Sequence, residues 1–420
     1  MTPALTYDEL AFPVYVNSHS VGAVGGVNLT VSDAINAAQL VRNNVFLGGK
    51  KGTGKTQLLT DMYCHRYGQQ GKLLEGRPDL KADEIYKTFN LQKLREGALT
   101  SDELIELTQS IHLPYIGVDE INRAPEVSQN ELLSIMNGYI LHKGEKKVLG
   151  DGFSVGVSTG NLGNGGYVGT FKIDDALADR LHLFLDLDYW KPTDEDMARI
   201  DMRMEIDPRV VDSSVRDITD KIKAAHQEIN RQETPLEITI IGRYLERGLD
   251  YCVKYPSAEN SKDNLKEAWP VICTQKSCDL RNTVCGRVKA VGERTVKAAK
   301  RLAKGLQYVA ELKNSDAAAD PIGAMMTAVR LMLPASGVIS PAYLREEGNF
   351  NNANIAAQHL VQALENEVKA QFYGTGSAGP LTVALAYAGR GKLSEHPYQL
   401  LKPEWRFVES LLAQLNDKNK

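Results

Sequence analysis

The sequence predicts an α/β fold, a mainly parallel sheet flanked by helices, followed by a helical domain. Three observations predict it. Short apolar runs, Val45-Phe46-Leu47, Tyr115-Ile116-Gly117-Val118, Phe153-Ser154-Val155-Gly156-Val157 and Leu183-Phe184-Leu185, alternate with helix-length sequence, the pattern of βα units. Past the acidic turn Lys191-Pro192-Thr193-Asp194-Glu195-Asp196 the strand signal fades and helical periodicity takes over. The 420 residues leave room for two or three domains.

The expected division is an N-terminal arm over 1–30, which is poor in helix signal, an α/β domain over 31–190, a helical domain over 191–372 and a tail over 373–420. Periodicity predicts a helix over 57–67 and, in the second domain, helices over 215–228, 237–254, 280–312, 317–333 and 355–372. Gly374, Gly376, Gly379, Gly389 and Gly391 interrupt the tail before a short helix over 404–415. Gly374-Thr375-Gly376-Ser377-Ala378-Gly379 fits G-x-G-x-x-G, but it follows helix-like sequence and precedes Pro380, so it reads as a linker.

Composition narrows the function. Lys and Arg number 49 against 53 Asp and Glu, a net charge of −4, so a global basic field for nucleic acid or an anionic membrane is missing. No apolar run nears the about 18 residues that cross a bilayer, and the first residues lack a basic segment leading into an apolar one. A soluble, cytoplasmic protein is the expectation. The five cysteines, 64, 252, 273, 278 and 285, are odd in number and sparse, as reduced core thiols are. Cys273, Cys278 and Cys285 have no CxxC spacing and no nearby His, which argues against a metal site.

Gly49-Lys50-Lys51-Gly52-Thr53-Gly54-Lys55-Thr56 matches G-x-x-x-x-G-K-[ST], after one predicted strand and before one predicted helix. Glycines let the backbone wrap so that its amides, and the helix start at Gln57, face a phosphate. Lys55 then reaches β- and γ-phosphate oxygens, and Thr56 offers a hydroxyl to Mg²⁺. Residues Gly49 to Gln57 are the expected nucleotide-binding residues. Such a loop needs a carboxylate at the end of a neighbouring strand, and Tyr115-Ile116-Gly117-Val118-Asp119-Glu120 supplies two. Asp119 is the expected metal-side ligand, with Thr56, and Glu120 the group that polarises the attacking water.

Asp119-Glu120-Ile121-Asn122-Arg123-Ala124-Pro125 resembles the DEINRAP signature of the MoxR family of AAA+ ATPases, and Gln129 to Met136 is similar to the helix that follows it there. The resemblance spans about 40 to 200 and extends weakly to about 310. It implies an AAA+ P-loop NTPase core with a helical lid. In that family the next strand ends in a polar residue that senses the γ-phosphate, and Asn161 takes that place, although the family's A-T-Q-N-P stands here as Ser158-Thr159-Gly160-Asn161-Leu162. Asn164 is a weaker substitute. Ala176-Leu177-Ala178-Asp179-Arg180-Leu181 resembles the family's Q-L-D-R-F, which makes Arg180 the finger reaching a neighbouring subunit's γ-phosphate. Ser277-Cys278-Asp279-Leu280-Arg281 resembles its lid segment, which makes Arg281 the second sensor, with Arg287 as the alternative. Tyr139 to Gly150 reads as a hairpin around Gly144, in the position of the family's client-touching hairpin, and 94–111 reads as helical.

The leading expectation is therefore a Mg²⁺-dependent ATPase that assembles as a homohexamer and remodels a client protein in a chaperone-like way. The resemblance adds an adaptor with a von Willebrand factor type A domain, on a separate polypeptide. A nucleic-acid motor or restriction-type translocase is the alternative, hinted at only by Lys143, Lys146 and Lys147. The basic run from Arg287 to Lys304 reads instead as a solvated helix face. A monomeric P-loop kinase or nucleotide-gated module is the third possibility, and it would leave Arg180 without a use.

Overall fold

A hairpin, β1 (Ser20–Val24) and β2 (Val27–Thr30), feeds directly into helix α1 (Val31–Leu40). Thr30 starts that helix through a reciprocal capping box with Asp33, which satisfies donors the helix would otherwise orphan. The chain then enters β3 (Val45–Gly48), turns through the glycine-rich loop into α2 (Lys55–His65) and returns along β4 (Gly71–Glu75). A small antiparallel pair, β5 (Lys87–Phe89) and β6 (Ile105–Leu107), precedes β7 (Tyr115–Asp119) and α3 (Glu126–Met136). The hairpin β8 (Tyr139–His142) and β9 (Glu145–Val148) leads to β10 (Val155–Gly160), and β11 (Leu183–Asp186) completes the sheet.

The computed structural model describes residues 4–80, 83–89, 105–161, 181–202, 215–249, 283–374, 378–395 and 403–419. Residues 1–233 with 304–319 form one compact unit, and 234–303 with 320–420 a second. In the first, five parallel strands stand in the order β11-β3-β10-β7-β4. Every residue of β3 and β10 is buried, as strands covered on both faces must be. Phe46, Ile116, Val118, Ile121, Leu132 and Ile135 form the core between sheet and helices. The predicted α/β core is present.

Several expectations change. The acid-bearing β7 is not beside the loop-bearing β3, because β10 lies between them. Strand β4 escaped the sequence reading: at the sheet's edge, its Gly-Lys-Leu-Leu-Glu needs no continuous apolar run and stays half-exposed. Within the stretch expected to be helical over 94–111, Ile105–Leu107 is a strand paired to Lys87–Phe89, and 90–104 lies outside the described residues. The N-terminal segment is no free arm. Leu5, Leu10, Phe12 and Tyr15 are buried, and the Val14 and Tyr15 amides donate to Asp61 Oδ2 at 3.1 and 2.7 Å.

The first unit also continues past 190 through α4 (Asp194–Met202) and α5 (Thr219–Arg231). Ile222, Ala225 and Ile229 bury one face of α5, while His226 Nδ1 lies 2.7 Å from the Leu40 carbonyl oxygen. Asp196, buried in α4, accepts hydrogen bonds from the Ser18 amide at 2.6 Å and the Thr193 amide at 3.0 Å. Burial pushes its carboxyl up, but these amides and the Ser18 and Thr193 hydroxyls outweigh that and hold it below the usual Asp range. Its contribution is therefore full above the unfolded Asp pKa and is lost as pH falls through the lower folded value. Asp196→Ala should cost about 1–3 kcal/mol at neutral pH, and the gap to wild type should narrow as the pH falls below the ordinary Asp range; denaturant unfolding at neutral and acid pH measures this.

The second unit is helical: α6 (Leu236–Arg243), the start of α7 (Glu293–Lys313), α8 (Pro321–Met332), α9 (Ala353–Phe372), α10 (Pro380–Ala388) and α11 (Glu409–Lys418). The long helix expected from 280 begins only at 293. Before it Val288 bridges Ile339, and the Lys289 amide donates to the Val338 carbonyl at 3.0 Å, which holds this stretch extended. The C-terminal tail belongs to this unit's core: Trp405 is fully buried and stacks on Tyr244 at 4.5 Å. Among the described residues no helix is long and apolar enough to cross a membrane.

Candidate active site

Gly54 ends the loop between β3 and α2 with φ +77°, a left-handed conformation that disfavours other residues. A Cβ there would sit 3.3 Å from the Tyr15 ring, so the position also lacks room. No side chain caps α2, which leaves its first-turn amides to an anion. Lys55 opens the helix and folds back: its Nζ donates to the Gly49 and Lys50 carbonyls at 2.8 and 2.6 Å and lies 3.3 Å from Thr53 Oγ1. Burial pushes the Lys55 ammonium below the usual lysine pKa, while Asp119, Asp188 and Glu120 oppose that shift. Asp188, just past β11, accepts from the Lys50 amide at 3.2 Å and pins the loop's near end.

The two acids leave the C-terminal end of β7. Asp119 Oδ2 accepts from Thr56 Oγ1 at 2.8 Å, across the width of β10. Thr159 Oγ1, at the end of β10, donates to Asp119 Oδ1 and accepts from the Glu120 amide at 2.9 Å. Glu120 is left-handed, φ +48° and ψ +47°, a strained geometry that clusters at functional sites. Both of its oxygens are engaged. Arg123 Nε lies 2.9 Å from Oε2, and Asn161 Nδ2 donates to Oε1 at 3.3 Å. Lys55, Thr56, Asp119, Glu120 and Asn161 are thus gathered along one edge of β3, β10 and β7.

The left-handed turn is supported from β4. The Gly76 amide donates to the Asp119 carbonyl at 2.7 Å, and a Cβ on Gly76 would lie 2.1 Å from the Glu120 carbonyl oxygen. Backbone cannot yield that distance cheaply, so Gly76→Ala must displace Glu120. The expected result is turnover lower by about 10- to 100-fold with nucleotide affinity nearly kept, since misplacement by about 1 Å costs that much; paired turnover and nucleotide-binding assays measure it.

Arg180, Asn164 and Arg281 lie outside the described residues. Arg287 is described: its guanidinium lies 4.6 Å over the Tyr343 ring, and Nη2 is 3.7 Å from a Glu346 carboxylate oxygen. The expected hairpin is present as β8 and β9, turning at Lys143 and Gly144, both with positive φ. Leu141 and Val148 on it are exposed, and Lys146 Nζ lies 4.1 Å over the Tyr139 ring. Gly76, Arg123, Thr159 and Asp188 also belong to this site, although the sequence does not single them out. Arg123 and Thr159 stood inside quoted motifs without a role; nothing local marks Gly76 or Asp188. Among the described residues Cys64 and Cys285 form no disulfide, and no group of His, Cys, Asp and Glu could hold a metal by itself. The Thr56 hydroxyl and Asp119 carboxylate, in mutual contact, are the hard oxygen donors that Mg²⁺ takes together with phosphates.

The family model described as the MoxR domain in the MoxR-vWA-beta-propeller ternary systems matches residues 25–189. No curated protein matches the chain. Among solved structures, a candidate ATPase from Cytophaga hutchinsonii ATCC 33406 is similar, with a TM-score of 0.54 and 15% identity over 79% of this chain and 88% of that one. At that identity the likeness concerns the fold.

Proposed function

We propose, from the match of residues 25–189 to a MoxR-domain family model, that the protein is a ring-forming, Mg²⁺-dependent ATP hydrolase of the AAA+ type that remodels a partner protein. The observation that carries this is the convergence of Lys55, Thr56, Asp119, Glu120 and Asn161 on one sheet edge. Lys55 leaves the loop carbonyls for β- and γ-phosphate oxygens, and the first-turn amides of α2 cradle the β-phosphate. Thr56 and Asp119 would hold Mg²⁺, which would supply positive charge to offset that of the phosphates. Glu120 accepts the proton of the attacking water, and Asn161 orients the reacting groups. For that step one Glu120 oxygen turns from Arg123 or Asn161 toward the water.

Arg180 acts in trans, stabilising charge on a neighbour's transferred phosphoryl, and Arg281 acts in cis. The partners are then further copies of this chain, a client, and an adaptor with a von Willebrand factor type A domain, in keeping with the system after which the matched domain is described. A formal charge of −4 favours a protein client over nucleic acid. Turnover per subunit should fall on dilution through the assembly range, and Arg180→Ala should lower it by about 10³-fold, as loss of an arginine finger does. Concentration-independent turnover that survives Arg180→Ala contradicts the ring.

A further inference from the structure

Strand β10 separates the loop-bearing β3 from the acid-bearing β7, so something must fix the acids across it. Its register sets Ser158 beside Val118 and Thr159 beside Leu47, which places the Thr159 side chain at the height of Asp119. Thr159 is fully buried. Its single hydroxyl donates to Asp119 Oδ1 and accepts from the Glu120 amide at 2.9 Å, while the other Asp119 oxygen takes the Thr56 hydroxyl. Among small side chains, only Ser and Thr donate and accept strongly through one atom. Glu120 presents its amide to that hydroxyl from a left-handed backbone.

We propose that Thr159 is a positioning residue that sets two geometries at once: the Asp119 carboxylate for the divalent cation, and the Glu120 backbone turn for the water. The proposal rests on the ATP- and Mg²⁺-using site described above. The distribution of bonds decides what its loss does. Without the hydroxyl, Asp119 keeps only Thr56 and can rotate, and the Glu120 amide is left without an acceptor beside a strained φ. The Thr159 hydroxyl bonds to Asp119 and Glu120 rather than to Lys55 or the loop, so binding of metal-free nucleotide should be independent of it.

The test uses the full chain with Thr159→Val, Thr159→Ser and Thr159→Ala, with ADP as nucleotide and Mn²⁺ as probe, free Mn²⁺ being followed by electron paramagnetic resonance. Thr159→Val should bind metal-free ADP within about twofold of wild type. Its Mn²⁺ affinity in the ADP complex should fall by about 10- to 100-fold, the usual effect of losing a group that orients a metal ligand. Turnover should fall at least as far, and Thr159→Ser should restore both to within about threefold. Wild-type Mn²⁺ affinity in Thr159→Val overturns the proposal. So does an equal loss in Thr159→Ser, which would assign the effect to the methyl group and packing. If Thr159→Val fails to bind even metal-free ADP, Thr159→Ser against Thr159→Ala decides: an about tenfold advantage for Ser supports the hydroxyl, and equality overturns it. A wild type that binds neither ADP nor Mn²⁺ overturns the ATPase reading itself.

Discussion

Glu120→Gln should leave ATP binding intact and lower turnover by about 10²- to 10⁴-fold, the span of a general base. Geometry makes this substitution clean. The amide oxygen of the substituted side chain can still accept from Asn161, and the backbone that holds the left-handed turn, through Thr159 and Gly76, is unchanged. What disappears is basicity and the ion pair to Arg123. That pair is about one-third exposed on its Arg side, so its loss costs little stability. On the proposed function, a variant that binds but does not hydrolyse should also hold a client, which makes affinity capture on Glu120→Gln the route to a partner. Measured turnover within a few-fold of wild type would remove Glu120 from the chemistry.

Lys55→Ala should act one step earlier, weakening ATP binding by about 10- to 100-fold through loss of charge-assisted hydrogen bonds to phosphate. Lys55 Nζ also ties the Gly49 and Lys50 carbonyls together, so the empty loop should loosen in the variant. The charged ammonium is needed for ATP, and burial lowers its pKa below that of an ordinary lysine. Affinity in the wild type should therefore decline with rising pH earlier than an exposed lysine would dictate. Equilibrium titration of a fluorescent nucleotide across alkaline pH, in both proteins, measures the two effects together.

Much of this site was legible because its signals are local. The spacing of Gly49, Gly54, Lys55 and Thr56 encodes a turn, a positive φ and a helix start within eight residues. The apolar run ending in Asp119 and Glu120 encodes a buried strand with acids at its exposed end. What the sequence does not carry is which strand lies beside which. The acids are expected next to the loop strand, whereas β10 intervenes, and the place of Thr159 follows only from that order. Gly76 follows an edge strand whose half-exposed pattern gave no periodicity, and its role is a close approach to a residue 44 positions away. The N-terminal segment and the tail were opaque for the same reason: Tyr15 and Trp405 are fixed by tertiary contacts that no window of sequence contains.

Steady-state phosphate release from ATP by the purified full chain, with and without Mg²⁺ and with Glu120→Gln in parallel, decides whether this site hydrolyses ATP. The wild type should release phosphate only with Mg²⁺, and a Glu120→Gln protein that still binds ATP should release almost none. A wild type that binds ATP without hydrolysing it under any Mg²⁺ concentration, or a Glu120→Gln protein that releases phosphate at the wild-type rate, would contradict the proposed function.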